Sequence, residues 1–101
     1  MKKLFAVGEI RRVVLDVLKP HQPSNIILAK ELSDVEMVEG VNLALTEIDQ
    51  NTETLKITVV GSDIDFEKIK EVLEELGGVI HSVDEIVAGK KIVEAVETEQ
   101  D

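Results

Sequence analysis

Residues 41–59 read VNLALTEIDQNTETLKITV, two alternating runs about a polar turn, and this stretch decides the fold. In the first run Val41, Leu43 and Leu45 point one way, and Leu55-Lys56-Ile57-Thr58-Val59 alternates again after Gln50-Asn51-Thr52-Glu53. Period-two alternation on both sides of a short polar turn predicts an antiparallel hairpin. The elements that flank it then set the topology.

Upstream, Ile10 to Leu18 (IRRVVLDVL) is rich in β-branched residues and predicts strand one, with Val13, Leu15 and Val17 on one face and Arg12, Val14 and Asp16 on the other. Lys19-Pro20-His21-Gln22-Pro23 stops it, and Pro23 suits the first turn of a helix, where its missing N–H costs nothing. That helix is predicted from Ser24 to about Asp34, with Leu28, Leu32 and Val35 as its stripe, Ala29 alongside, and Ile26 pointing away. Downstream, Asp65 is a good N-cap, Ile64 and Ile69 form a hydrophobic staple, and Gly77-Gly78 closes the second helix. Phe66, Ile69, Val72, Leu73 and Leu76 make its apolar stripe, and Glu67, Glu71, Glu74 and Glu75 a solvated outer face.

Val79 to Ala88 predicts a fourth strand with two competing facings. Val79, Val83 and Val87 lie on one side with His81 and Glu85, and Ile80 and Ile86 on the other with Ser82 and Asp84; a bulge would reconcile them. After the turn Gly89-Lys90-Lys91, Ile92 to Val96 suits a short helix or an added edge strand. Strand, helix, hairpin, helix, strand is the ferredoxin-like βαββαβ pattern, an α+β fold. Right-handed crossovers give an antiparallel sheet in the order 4-1-3-2 with both helices on one face. Residues 1–9 read as an N-terminal extension, 10–96 as a single domain and 97–101 as an acidic tail. The helix-free face is expected to carry Val14, Ala44, Thr46, Ile48, Thr58, Val60 and Ile86. An apolar patch of that kind predicts self-association.

The chain has 101 residues, 44% hydrophobic but only 2% aromatic, so its core is built from Val, Ile and Leu. With 21 acidic against 11 basic residues the formal charge is −10. That balance argues against nucleic acid and anionic membrane as partners, since both demand a cationic footprint. No cysteine is present, which excludes disulfides, thiolate metal sites and thiol catalysis. The apolar runs are too short to span a bilayer, and Glu9, Arg11 and Arg12 interrupt the signal-like start, so a cytoplasmic location is expected. Many charged residues with few Asn, Gln and Met resemble proteins from hot environments.

Three segments carry a resemblance: Val13-Val14-Leu15-Asp16-Val17-Leu18-Lys19-Pro20-His21, Gly61-Ser62-Asp63-Ile64-Asp65-Phe66, and the run from Leu76 to Glu85 (LGGVIHSVDE). Together they resemble the archaeal family called domain of unknown function 211, over roughly residues 10 to 93. The stretch before Ile10 departs from the family pattern. The resemblance implies a ferredoxin-like fold and ring-like homo-oligomers in an archaeal cytoplasm. It implies no activity, because the family is uncharacterised.

Taking strand one as parallel to strand three and antiparallel to strand four, the end of strand one, the end of strand three and the start of strand four meet at one edge. Asp16, Lys19, His21, Asp63, Asp65 and His81 are then expected to gather there with both helix N-termini. Asp16, Asp63 and Asp65 are the candidate ligands of a divalent cation, calcium or magnesium, which wants hard oxygen donors. The bland alternative is that Asp65 caps helix two and Asp63 complements its dipole. His21 and His81 are candidates for a transition-metal or acid–base pair, against a structural role for His21 and a solvated His81. Arg12, Lys56, Asp16 and Asp84 suit interfacial ion pairs on the open sheet face. No phosphate-cradling glycine loop and no nucleophile beside a base is present, so an enzyme is not expected. The expected role is a homo-oligomeric regulatory module binding a small ligand or a divalent cation; the alternative is a scaffold whose acidic surface meets a basic protein.

Overall fold

The computed structural model describes residues 8–96. Six elements follow in the order expected: β1 (Ile10–Pro20), α1 (Asn25–Ser33), β2 (Val38–Ile48), β3 (Thr52–Gly61), α2 (Phe66–Glu75) and β4 (Val79–Ala88). The four strands form one sheet in the order β2-β3-β1-β4, and every neighbouring pair is antiparallel. This is the ferredoxin-like α+β arrangement.

Alternation decides what the sheet buries. Val13, Leu15 and Val17 of β1 and Leu55, Ile57 and Val59 of β3 are essentially without solvent contact. They meet Leu28 and Leu32 of α1 and Ile64, Ile69 and Leu73 around α2. Both helices therefore lie on one face, as expected. Ser24 caps α1, its Oγ accepting from the Ile27 amide, and Pro23 precedes that cap rather than entering the first turn. Asp65 caps α2 by accepting from the Glu67 amide at 3.0 Å. Gly77 ends α2 in the left-handed region (φ 84°), which is cheap only for glycine. Ile26 is 70% exposed, as its place opposite Leu28 predicts.

Two departures come from bulges. Asp84 and His81 of β4 are each passed over in the pairing with β1, so Ile80, Val83 and Ile86 pair with Val17, Leu15 and Val13 and face the helices. Glu85 pairs with Val14 and Ser82 with Asp16 on the open face. The expected bulge is present, in two copies, and it moves Ile86 off the helix-free face to which alternation alone assigns it. In β2 the shift between Leu45 and Glu47 sets Glu47 opposite Thr54 and Ile48 opposite Glu53. Ile48 is thereby turned to the helix side as well. The helix-free face keeps Val14, Thr58 and Val60, which are half-buried, and Ala44.

Residues 92–96 form neither a helix nor a strand. The segment instead returns to one corner of the open face, where Arg12 Nη2 meets Glu94 Oε2 at 2.7 Å and Arg12 Nε meets Glu85 Oε1 at 2.9 Å. Val87, opposite Arg12 in register, is buried at that corner outside the main core. Residues 1–7 of the N-terminal extension 1–9, and the acidic tail 97–101, lie outside the described residues. No helix among the described residues is long and apolar enough to cross a membrane.

Candidate functional site

β1 runs antiparallel to β3, so the end of β1 meets the start of β3, not its end. The expected gathering of six ionisable groups therefore divides. Ile64 donates its amide to the Ile10 carbonyl, which puts Asp63 and Asp65 beside the beginning of β1. Asp16 lies six residues further along, roughly 20 Å at about 3.4 Å per residue. Asp16, Asp63 and Asp65 do not form one ligand set. Among the described residues no three His, Asp or Glu side chains are gathered closely enough to hold a metal ion. The helix N-termini are likewise at opposite ends of the sheet, since α1 follows the end of β1 and α2 the end of β3.

Two smaller groupings replace the one expected. On the open face Asp16, Leu18, Glu47, Thr54 and His81 line a shallow depression of about 280 Å³. Asp16 sits opposite Lys56 on β3, and His81 is the residue that one bulge of β4 leaves without a partner on β1. Ser82 and His81 share this face, whereas alternation puts them on opposite sides of the strand, and the Ser82 hydroxyl donates to Asp84 Oδ1 at 2.6 Å.

On the helix side, the end of β1 carries the second grouping. Lys19 continues the inward series of Val13, Leu15 and Val17, and it is only 1% exposed. Its Nζ donates to the Pro20 carbonyl at 2.7 Å and lies 3.9 Å from Glu53 Oε1, an ion pair without a hydrogen bond. Glu53, opposite Lys19 in register, receives two further donors: His21 Nδ1 reaches Oε2 at 2.8 Å and Asn25 Nδ2 donates to Oε1 at 2.9 Å. His21 Nε2 meets the Gln50 carbonyl at 2.9 Å. Both imidazole nitrogens thus face acceptors, an arrangement that only the doubly protonated ring satisfies.

The electrostatics agree with that geometry. The Glu53 carboxylate, followed by the Gln50 carbonyl, raises the His21 pKa above its ordinary 6.5. The His21 and Asn25 hydrogen bonds, with Lys19 adding attraction, hold Glu53 below its ordinary 4.5 against some desolvation. Asn25 Oδ1 is buried and finds no donor among the described residues. Sequence reasoning singles out Lys19 and His21 but misses Glu53, Asn25 and Gln50. Parity alone is the signal that could have found Glu53, which falls on the same face as Leu55 and Ile57.

Apolar side chains are exposed on both flanks of the sheet. β4 presents Val79, Val83 and Ile86 on one edge, and a wholly apolar hollow of about 150 Å³ lies there between Ile10, Val13, Phe66, Val83 and Ile86. On the other edge β2 presents Leu45 and Ile48, and α1, which packs over β2, presents Ile26 and Ile27.

Residues 11–101 match the family described as DUF211, Uncharacterized ArCR. The chain belongs to the DUF211 family. It is 52% identical over 92 residues to the uncharacterized protein MJ0319 of Methanocaldococcus jannaschii, covering 91% of this chain and 95% of that one. DUF211 membership extends over all six elements except the first residue of β1. It brings an archaeal relative and no assigned activity.

Proposed function

We propose that this DUF211 protein is a cytoplasmic binding module that associates head to tail with copies of itself into a closed ring. The open-face depression around Asp16, Glu47 and His81 would hold a small, hydrogen-bonding ligand. The observation that carries the association is the pair of unlike apolar flanks on opposite edges of the sheet. A twofold contact uses the same patch on both subunits and would leave the other flank in water, whereas a heterologous contact joins one flank to the other and closes if the rotation allows. Ile48, 62% exposed, and Ile86, 61% exposed, head the two flanks.

Light scattering tests the reading directly. The chain alone has a mass of 11.2 kDa, and the wild type should scatter as a multiple of it. Ile48→Glu and Ile86→Glu should each scatter as single chains, because each lacks one half of every contact. Mixed together they should form a species of two chains, since each still offers the flank that the other has lost. A wild type that stays a single chain at micromolar concentration would sink the proposal, as would a mixture that fails to pair.

A second reading has its own support in the exposed glutamates of α2, Glu67, Glu71, Glu74 and Glu75. Their charge, within a chain of formal charge −10, suits a scaffold that meets a basic protein. Capture of such a partner should weaken as salt rises. Capture that is indifferent to salt would dismiss it.

A further inference from the structure

The cluster at the end of β1 joins three separate pieces of chain. His21 belongs to the loop entering α1, Gln50 to the β2–β3 turn and Glu53 to the start of β3. Ile26 and Ile27 follow closely on the first piece, and Ile48 precedes the second and pairs with Glu53 in the sheet. Asn25, the first residue of α1, bonds the same carboxylate at 2.9 Å. The carriers of one apolar flank are therefore held in register with one another at the Glu53 carboxylate, by the Asn25 amide and by the His21 imidazole, and the imidazole alone also reaches the Gln50 carbonyl of the turn. The ring's side chain is 36% exposed, so its proton exchanges with solvent, while Glu53 is 13% exposed and its charge is poorly screened.

We propose that His21 is a proton-operated clasp that sets the geometry of the Ile26–Ile27–Ile48 flank and so makes self-association pH-dependent. With both nitrogens protonated, the ring ties Glu53 to the Gln50 carbonyl and presents α1 and the hairpin as one rigid surface. Loss of one proton leaves a lone pair facing an oxygen on one side, and that tie is broken. The flank must then be ordered at the moment of docking, an entropic cost that pre-organisation had removed. The groups facing His21 are Glu53 from β3, with Lys19 of β1 behind it, and the Asp49–Gln50 backbone of the turn. Glu53 favours the proton and Lys19 opposes it from the far side of the carboxylate. The inference rests on the association proposed above and adds its regulation.

Sedimentation over a concentration series from pH 5.5 to pH 9, together with NMR titration of the His21 ring, separates the two. For the wild type the dissociation constant should rise about tenfold across that range, the worth of one charge-assisted hydrogen bond. His21→Gln and Glu53→Gln should each flatten the dependence to under about twofold, and Glu53→Gln should bring the His21 titration down towards its ordinary value. His81→Gln should leave the dependence intact, which guards against a general histidine effect. A wild-type dissociation constant indifferent to pH while His21 titrates would overturn the coupling and spare the association. A single chain at every pH would overturn both, and a His21 that titrates at or below its ordinary value would overturn the clasp itself.

Discussion

Ile64 donates its backbone amide to the carbonyl of Ile10 at 3.0 Å, and this bond anchors the loop Ser62–Asp65 beside the first residue of β1. Asp63 and Asp65 are thereby separated from Asp16 by most of the length of the strand. Asp16→Asn and Asp63→Asn/Asp65→Asn should accordingly have additive effects on stability, as distant sites do. In calorimetric titration with calcium, any heat should be abolished by one of these substitutions and left untouched by the other. Loss of the same heat in both would restore a shared site.

Asp65 has a structural role that can be weighed by itself. Its side chain satisfies the Glu67 amide at the exposed start of α2. Asp65→Ala should cost about 1 kcal/mol, an ordinary cap loss, and lower the melting temperature by roughly 4–8 °C in a domain of this size. Asp65→Asn should cost much less, because asparagine caps as well. Equal losses for both would mean that the charge, not the cap, matters.

The pH dependence of folding follows from the same pair that forms the clasp. His21 is raised in the folded state, so its contribution is complete below the ordinary histidine value of 6.5 and is lost as pH climbs through the raised one. Glu53 is lowered, so its contribution is complete above its ordinary 4.5 and is lost as pH falls through the depressed one. The pair therefore stabilises most between about pH 4.5 and 6.5, a window bounded by the two ordinary values. Thermal unfolding should show the wild type gaining over His21→Gln inside that window, with the gap narrowing as pH rises beyond it. A constant gap from pH 5 to pH 9 would refute the assignment.

Gly61 and Gly40 offer a contrast in backbone approach. A Cβ at Gly61 would run into the Met37 carbonyl oxygen, which is main chain and has nowhere to go, and into Ile64. At Gly40 it would meet only a methyl of Val60 at ordinary contact distance, 3.6 Å. Gly61→Ala should destabilise by about 3 kcal/mol, at the upper end of overpacking, and Gly40→Ala by less than about 1 kcal/mol. Denaturant melts of the two variants decide it, and comparable midpoints would contradict the geometry.

Much of the fold is legible because each element announces itself locally. The alternation of residues 41–59 predicts the hairpin, the Ile64–Asp65–Ile69 staple starts α2, and Gly77 stops it; all are present. The facing of Ile48 and Ile86 is not legible, because one extra residue in a strand reverses every side chain after it and bulges leave only weak marks in composition. The candidate site fails for a different reason. Joining Asp16 to Asp63 takes β1 as parallel to β3, whereas an all-antiparallel sheet in this order places the end of one strand at the start of its neighbour. The Lys19–Glu53 pairing follows from parity alone, since both continue inward-facing series of Val, Leu and Ile. Taking those two charges as inward is enough to locate the buried network.

The double bulge of β4 also limits how this sheet can grow. A further strand laid along the free side of β4 would find donors and acceptors thrown out of step twice within ten residues. An uninterrupted ladder from one molecule to the next is therefore disfavoured, and a sticky border of Val and Ile is kept from seeding fibres. Neighbours that settle there must recognise shape and grease instead of backbone rhythm.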